Sequence, residues 1–284
     1  MDDNRKPRDD EIDVFGLTHP GKVRGENQDQ FLIGTLHRQL RVLHTSLDDP
    51  SRLKLDGERV AIISMVADGV GGGVGGQEAS ATALETVTEY VTSSSECFLQ
   101  GDSTADQFIE SLQAAALRSH EAVKRRAAER AEGRTMATTL TMYMGVWPCY
   151  YLLQVGDSRY YLYRQGTLTQ VSRDQTIAQD LVDKGVLSRA VADKSRLADV
   201  LSSAIGADEA LPVVTRLKSE WGLVHLLCTD GLTKHVTDAR IAEVLGAMTS
   251  SRQACEQLLQ DALDGGGSDN ITIIIGRTKT PAPT

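Results

Sequence analysis

The chain has 284 residues, of which 40% are hydrophobic and 24% are charged, and its formal net charge at pH 7 is −9. A chain of this length and composition can bury a core of its own, which excludes collagen-like, low-complexity and wholly disordered proteins. The excess of acidic residues has the wrong sign for gripping nucleic acid or an anionic membrane by bulk electrostatics. We therefore expect neither nucleic acid nor a membrane as a partner.

The start of the chain and its cysteines indicate the compartment. The first 13 residues, MDDNRKPRDDEID, are highly charged, and no apolar stretch typical of a signal peptide or membrane anchor follows them. The four cysteines lie far apart, form no Cys-x-x-Cys pair, and are predicted to be reduced core thiols. The sequence therefore predicts a cytoplasmic protein with one domain over residues 14–278 and disordered tails at 1–13 and 279–284.

The first half of the domain is predicted to contain two strands and then two helices. The strand-like runs are QFLIG (30–34) and VAIISMVA (60–67), both rich in β-branched or aromatic residues. A Gly-rich loop follows, and after it an apolar stripe over residues 83–91 has the spacing of a helix. A longer helix is predicted behind the Thr-x-x-Gln capping box at 104–107, with Gly133 as its stop.

The second half is predicted to contain five further strands, which are TLTMYMGV (139–146), CYYLLQV (149–155), RYYLYR (159–164), LVHLLC (223–228) and ITIII (271–275). Short turns separate the first three, which predicts antiparallel pairing because a parallel crossover needs a dozen or more residues. Residues 174–210 are predicted to form a small helical flap between two core strands. Two more helices are predicted, one behind Thr237 and one ending at Gly265. The pattern favours an α+β fold with sheet packed on sheet and helices outside.

The Gly-rich loop DGVGGGVGGQEAS (68–80) contains the spacing G-x-G-x-x-G at Gly71, Gly73 and Gly76. This is a weak indication of dinucleotide binding, and the second parallel strand and acidic ribose anchor that such a fold needs are missing. The Gly-Lys-Ser/Thr of a mononucleotide loop is missing too. A turn that lets the backbone pass close to another group is the better interpretation.

Five aspartates stand at the ends of predicted strands, namely Asp29, Asp68, Asp157, Asp230 and Asp269. Each alone is typical of a turn. Together they could converge on one cleft, where like charges are costly unless cations neutralise them. Carboxylates without nearby His or Cys suit Mg²⁺ or Mn²⁺ better than Zn²⁺. Close by in the sequence, Arg24 offers a bidentate fork for phosphate.

The residues around these aspartates form five ordered motifs, which are Arg24-Gly-Glu-Asn-Gln-Asp29, Ala67-Asp-Gly-Val-Gly-Gly72, Gly156-Asp-Ser-Arg159, Thr229-Asp-Gly-Leu232 and Ser268-Asp-Asn-Ile-Thr272. In this order they resemble the motifs of the metal-dependent, type 2C, protein serine/threonine phosphatases, and the loop is similar to that of the stand-alone bacterial members. The resemblance covers nearly the whole chain. It implies a β-sandwich of two antiparallel sheets flanked by helix pairs, in α-β-β-α layers.

The resemblance also implies roles for the matching residues. The implied metal site consists of Asp29, Asp68, the carbonyl of Gly69, Asp157, Asp230 and Asp269. Two Mn²⁺ or Mg²⁺ ions are implied, and a third, weakly bound ion near Asp157. Asp29 would order metal-bound water, Arg24 would bind the substrate phosphate, and a hydroxide bridging the two ions would attack phosphorus. The implied substrates are proteins carrying phosphoserine or phosphothreonine, so we expect a Ser/Thr kinase as the opposing partner, and we expect a monomer.

Three positions depart from the family pattern. Gln28 stands where the family usually has Glu, which removes a negative charge near the metals. Val70 occupies the position of a general-acid histidine in animal members, which leaves the general acid unidentified. Lys234 replaces the Asp often found four residues after the Asp230 position, and its ammonium would repel a third cation or face solvent.

Two other functions are compatible with the same motifs. A non-catalytic member of the fold would bind phosphoproteins without turnover, although the retention of all five aspartates argues against it. Another metal-dependent phosphohydrolase would act on small phosphate esters, since the core motifs specify the centre and not the substrate.

Overall fold

The computed structural model describes residues 5–37, 57–71, 74–93, 104–130, 136–192 and 194–279, with only the backbone of Val74. Several sequence predictions fall outside these ranges. They are the helix stop at Gly133, the outer parts of both predicted tails, Cys97, and the last glycine of the Ala67–Gly72 motif.

Ten of the strands build two antiparallel sheets of five strands each, and two short strands form a separate ladder. The strands are β1 (Ile12–His19), β2 (Gln30–His37), β3 (Arg59–Ala67), β4 (Gly69–Val70), β5 (Ala137–Thr138), β6 (Leu140–Val146), β7 (Cys149–Val155), β8 (Arg159–Arg164), β9 (Thr167–Gln170), β10 (Val213–Lys218), β11 (Val224–Cys228) and β12 (Ile271–Thr278). The first sheet has the order β1-β12-β11-β8-β9, the second has β10-β7-β6-β3-β2, and β4 pairs with β5.

The described residues contain seven α-helices. They are α1 (Val74–Ser93), α2 (Ala105–Glu129), α3 (Ile177–Asp183), α4 (Arg189–Ala192), α5 (Asp230–Thr233), α6 (Asp238–Ala247) and α7 (Ser251–Asp264). The pair α1 and α2 packs on the second sheet, and α6 and α7 pack on the first. Within the described ranges, no helix combines the length and the apolar character that a bilayer crossing requires.

The core divides into three layers of apolar contact. Leu112, Met142 and Leu153 belong to the layer between the second sheet and its helices. Leu258 and Ile273 belong to the matching layer on the first sheet. A third layer, rich in tyrosine, lies between the two sheets. The predicted α+β fold, with two antiparallel sheets flanked by helix pairs, is confirmed.

The N-terminal segment differs from the disordered tail that the composition predicts for residues 1–13. Asp9–Glu11 forms a single 3-10 turn, and the Glu11 carboxylate accepts hydrogen bonds from the Arg5 guanidinium at 2.6 and 2.8 Å. The strand β1 already begins at Ile12, since its backbone pairs with β12 along the whole of its length. These contacts order residues whose charge and polarity alone indicate disorder. The domain boundaries themselves remain predictions.

The segment predicted as a flap, residues 174–210, contains α3, α4 and one further 3-10 turn, and it lies between β9 and β10. Its first turn is tied to the core through the side chain of Gln175. The Gln175 amide oxygen accepts a hydrogen bond from the Gly156 N–H at 2.7 Å, and its NH₂ group donates to the Leu211 carbonyl at 2.9 Å. The base of the flap is therefore fixed to the turn that joins β7 to β8.

A histidine lies among tyrosines in the layer between the sheets. His225 on β11 is 9% exposed, and its Nδ1 lies 2.6 Å from the Tyr160 hydroxyl. The rings of Tyr143 and Tyr150 lie 4.9 and 5.2 Å from the His225 ring. Burial lowers the pKa of His225 to about 4, because the imidazolium would lose its hydration there. His225 is a neutral core residue, as its apolar strand indicates.

We expect His225 to make folding stability sensitive to acid. Between its ordinary pKa of about 6.5 and its folded pKa of about 4, the unfolded chain binds a proton that the folded protein does not. This contribution is therefore lost as the pH falls through that window. Relative to His225→Phe, the wild type should lose about 2 kcal/mol of unfolding free energy between pH 7 and pH 5, measured by urea denaturation. An equal pH dependence in the two proteins would contradict a neutral His225.

Candidate functional site

An open cleft lies at the end of the sandwich where β3 and β11 finish and β12 begins. Six of the predicted site residues line it, namely Arg24, Asp68, Gly69, Asp157, Asp230 and Asp269. The flap forms part of its wall through Asp199, Val200 and Leu201. We call this space the acidic cleft. Asp29, the remaining predicted residue, lies below its floor.

Asp29 stands directly before β2 and is 1% exposed. Its Oδ2 accepts hydrogen bonds from the hydroxyls of Thr229 at 2.8 Å and Thr272 at 2.7 Å. Its Oδ1 is buried and has no hydrogen-bond partner in the described part of the chain. Burial raises the pKa of Asp29 to about 7, although the two threonine hydroxyls act against this rise. A buried carboxylate oxygen without a donor is suited to a cation or an ordered water molecule.

Asp68 follows β3, and its backbone is held at the start of β6. Its N–H donates to the Thr139 hydroxyl at 2.9 Å, while its carbonyl accepts from the Thr139 N–H and the Thr138 hydroxyl, both at 2.9 Å. Burial raises the pKa of the Asp68 carboxyl well above its usual range, and the surrounding aspartates add to this rise. The next residue, Gly69, has no space for a side chain, since a Cβ would lie 2.3 Å from the Gly76 carbonyl oxygen. Such a close backbone approach agrees with the interpretation of the Gly-rich loop.

Asp157 occupies the turn between β7 and β8, opposite the segment that carries Asp68. The neighbouring hydroxyl of Ser158 lies 2.7 Å from the Thr139 hydroxyl, so one threonine contacts both segments. Burial and the charge of Asp230 raise the pKa of Asp157 to about 7, and the ammonium of Lys234 acts against this rise. The side chain lines the acidic cleft, as a ligand for a third ion would have to.

Asp230 and Asp269 come together because two backbone segments touch. Asp230 opens the short helix α5, and Asp269 lies just before β12. At the contact, a Cβ on Gly231 would lie 1.9 Å from the carbonyl oxygen of Asn270. The Oδ1 of Asp230 is buried and, among the described residues, has no hydrogen-bond partner. Burial raises the pKa of Asp230.

The side chain of Asn270 fixes the loop that carries Arg24. Its Oδ1 accepts the N–H of Gln28 at 2.9 Å, and its NH₂ group donates to the carbonyls of Pro20 at 3.0 Å and Glu26 at 2.9 Å. Three hydrogen bonds from one amide therefore hold the loop before β2 against the start of β12. This brings Arg24 to the carboxylate of Asp269.

Two cations contact the carboxylates of the acidic cleft. The Arg24 guanidinium forks onto Asp269, with Nε 2.8 Å from Oδ1 and Nη2 3.0 Å from Oδ2. The Lys234 ammonium lies 2.6 Å from Oδ2 of Asp230 and 2.9 Å from Oδ2 of Asp269. Although burial alone would raise the pKa of Asp269, hydrogen bonds from both cations hold it below its usual range. Of the two positions predicted for Lys234, facing solvent is therefore wrong, because its ammonium lies between two aspartates.

The other two departures from the family pattern also line the acidic cleft. Gln28 points its side chain towards the first turn of α1, where a Cβ on Gly76 would lie 2.6 Å from the Gln28 Oε1. Val70 is 42% exposed at the wall and has no ionisable group. Neither residue contributes a charge to the cleft.

The donor set fits hard divalent cations. All the predicted ligands offer oxygen, and the buried Oδ1 atoms of Asp29 and Asp230 lack donors within the described residues. Burial raises the pKa of Asp29, Asp68 and Asp157, and neighbouring aspartates add to this rise, so a bound cation would favour their charged forms. No three His, Cys, Asp or Glu side chains in the described ranges are already gathered closely enough to hold an ion. The side chains would therefore shift when an ion binds, and an ion at Oδ2 of Asp230 and Asp269 would displace Lys234.

Three residues that support the site escaped the sequence analysis. Thr229 and Thr272 hold Asp29, and Asn270 holds the Arg24 loop. Each is adjacent to, or within three residues of, an aspartate of a predicted motif. That proximity was the available signal, but their partners lie 200 or more residues away in the chain, so no local pattern shows which group each of them holds.

Comparison with known sequences places the chain among phosphatases. The sequence profile of the family Protein phosphatase 2C matches residues 44–265. The chain is 30% identical over 210 residues to the serine/threonine protein phosphatase PstP of Mycobacterium tuberculosis. That match covers 74% of this chain but only 39% of PstP, so the chain spans about two fifths of this relative.

Solved structures support the same likeness. A crystal structure of the Mycobacterium tuberculosis phosphatase PstP/Ppp superposes with a TM-score of 0.76 at 26% identity, covering 95% of this chain and 99% of that one. The catalytic domain of PstP in complex with two manganese ions superposes with a TM-score of 0.72 at 26% identity, covering 94% and 97%. The similarity thus extends over nearly the whole of this chain and of both superposed chains.

We expect Gly231→Ala to disrupt the contact that joins Asp230 to Asp269. In an ordinary helix this change is stabilising, but here the new Cβ must push away the Asn270 carbonyl, a backbone atom 1.9 Å from its position. We expect a loss of about 3 kcal/mol of unfolding free energy, measured by urea denaturation. Gly34→Ala is the control, since its Cβ would meet nothing closer than 3.6 Å. Equal stability of the two variants would contradict the close contact.

Proposed function

Because the chain belongs to the protein phosphatase 2C family, we propose that it hydrolyses phosphoserine and phosphothreonine on proteins with divalent metal ions bound in the acidic cleft. The observation that carries this proposal is the pair of buried carboxylate oxygens on Asp29 and Asp230 that have no hydrogen-bond partner in the described ranges, beside the exposed Arg24 guanidinium that forks onto Asp269. A binding module without turnover would gain nothing from carboxylates held against their own repulsion.

Asp68, the Gly69 carbonyl, Asp230 and Asp269 would hold two Mn²⁺ or Mg²⁺ ions, and Asp157 a third, weaker one. The manganese ions in the similar PstP structure support this assignment. When bound, two such ions supply an activated water and charge stabilisation for displacement at phosphorus. In this chain Asp29 would accept hydrogen bonds from water in the centre, because two threonines at Oδ2 already orient its Oδ1, which has no partner among the residues described.

Arg24 would bind the phosphate of the substrate. Its side chain is 57% exposed at the mouth of the cleft, and Asn270 fixes its loop. A guanidinium presents two parallel N–H donors that match two phosphate oxygens, which favours a phosphate monoester in one orientation. Val70 has no proton to give, so protonation of the leaving oxygen would fall to water.

The wall of the cleft favours a protein over a small ester as the substrate. The flap residues Val200 and Leu201 line the same cleft as Asp68, and Val200 is 46% exposed. An apolar surface beside a phosphate site suits the residues that flank a phosphorylated side chain in a peptide. An opposing Ser/Thr kinase, a cytoplasmic location and a monomeric state remain predictions.

Turnover should require Mn²⁺ or Mg²⁺. We expect hydrolysis of a phosphothreonine peptide to stop in excess chelator and to return with Mn²⁺, because no side chain is placed as the nucleophile. Asp68→Asn and Asp230→Asn should each lower kcat by about a thousandfold or more, as expected when charge stabilisation of the transition state is lost. Asp264→Asn, at an exposed helix end, is the matched control.

Full turnover by metal-free protein, or wild-type rates for Asp230→Asn, would contradict the proposed centre. A small aryl phosphate assayed in parallel separates the substrate classes. A kcat/KM higher for the aryl phosphate than for the peptide would indicate a small-ester hydrolase, and peptide binding without turnover would indicate a binding module.

Arg24→Ala should act mainly on substrate binding. We expect KM for the phosphopeptide to rise about tenfold, with a smaller change in kcat, because a ground-state contact is lost while the carboxylates remain. Arg125→Ala, on the exposed face of α2, is the control. Unchanged kcat and KM would place Arg24 outside the phosphate site, whereas a fall in kcat at unchanged KM would indicate a contact made only in the transition state.

A further inference from the structure

The ammonium of Lys234 lies inside the carboxylate cluster rather than beside it. Lys234 immediately follows the single-turn helix α5, so its side chain reaches back one turn to the Asp230 that opens the helix. The same Nζ also contacts Asp269, which comes from a different element. One flexible cation therefore joins the two carboxylates that the close contact at Gly231 brings together.

This ion pair differs from those on the outer surface of the protein. The Lys234 side chain is 33% exposed, its two partners are 23% and 18% exposed, and its charge is also felt by Asp157. The neighbouring aspartates hold the pKa of Lys234 well above its usual range despite partial burial. In such a site an ammonium offsets repulsion that solvent does not screen.

Lys234 occupies one oxygen of each of two carboxylates assigned to the metal centre. Its contacts are to Oδ2 of Asp230 and Oδ2 of Asp269. Arg24 also donates to that Oδ2 of Asp269, but it contacts neither oxygen of Asp230 among the described pairs. Lys234 is thus the cation that bridges the two aspartates. A divalent ion that takes the Oδ2 atoms of both carboxylates competes with it, and at any other carboxylate oxygen the ion is repelled by the adjacent ammonium.

We propose that Lys234 is a tethered cation that holds the metal-free centre together and competes with divalent ions for Asp230 and Asp269. The inference rests on the proposed function in one respect, namely that these carboxylates bind metal. Lys234 then has opposite effects on two quantities, because it favours folding of the metal-free protein and disfavours metal binding. The ammonium stabilises the folded protein without metal, because it offsets carboxylate repulsion, and it raises the metal concentration needed to fill the site.

These opposite effects on stability and on metal affinity distinguish the proposed role from that of a residue that only stabilises the fold. Removing a residue that only stabilises the fold lowers the melting temperature and weakens metal binding, or leaves it unchanged. Removing a competing cation lowers the melting temperature of the metal-free protein and tightens metal binding. The two measurements need no substrate, so they are independent of turnover.

The test compares the wild type with Lys234→Met, which keeps the length of the side chain and removes its charge. Lys218→Met, at an exposed position on β10, is the matched control. We expect Lys234→Met to melt at a lower temperature than the wild type in excess chelator. We expect its dissociation constant for Mn²⁺, measured by titration calorimetry, to fall by about 10- to 100-fold, the usual range for changes beside a metal site. Lys218→Met should match the wild type in both measurements.

Two further variants test the inference in case Lys234→Met does not fold. Lys234→Arg keeps the cation and should bind Mn²⁺ as weakly as the wild type, whereas Lys234→Gln should bind more tightly. An unchanged or higher Mn²⁺ dissociation constant for both Lys234→Met and Lys234→Gln overturns the inference while leaving the proposed function standing. If no variant and no wild-type protein binds Mn²⁺, the metal-dependent function and this inference both fail.

Discussion

The crowding of carboxylates in one cleft is the constraint on which the rest of the structure depends. Burial and mutual repulsion raise the pKa values of Asp29, Asp68 and Asp157, so these groups are held at a cost in free energy. The apolar layers on both sides of the sheets offset that cost. Cations relieve it directly, and Arg24 and Lys234 already do so at Asp269. The fold around the cleft is thus held by its core, while the negative charge of the carboxylates is only partly neutralised. A binding site for further cations requires both properties.

The sandwich divides this cluster between its two sheets. Asp29 and Asp68 stand at the ends of paired strands in the second sheet, whereas Asp230 and Asp269 flank strands of the first. Hydrogen bonds from threonines beside β11 and at β12 reach the Asp29 carboxylate and so cross from one sheet to the other. The relative position of the sheets therefore determines the spacing of the acidic groups. A substitution in the tyrosine-rich layer that moves one sheet relative to the other would change the spacing of the acidic groups, although the substituted residue lies outside the cleft.

The strands with continuous apolar runs, and the aspartates at their ends, were predictable because burial and turn chemistry leave a local signal. The edge strands β1 and β10 were not, since they are half-exposed and carry polar residues. The supports of the site escaped for a different reason, because Thr272 finds Asp29 only through the completed fold. The position of Lys234 was predictable from a local rule. It follows Asp230 by four residues on one helical turn, and residues with this spacing are neighbours on a helix surface, so its ammonium lies beside that carboxylate rather than in solvent.

The pairing of β1 with β12 bears on the order of events during synthesis. All strands of the second sheet lie between β2 and β10, whereas the first sheet needs both β1 and β12, from the two ends of the domain. Asp29 leaves the ribosome long before Thr272, which follows it by 243 residues. Pairing of β2 with β3 brings Asp29 and Asp68 together early, but Asp269 reaches Asp230 only when β12 inserts between β1 and β11. Contacts of such long range form slowly, so the full repulsion within the cluster arises late in folding, when the second sheet and its core can already resist it.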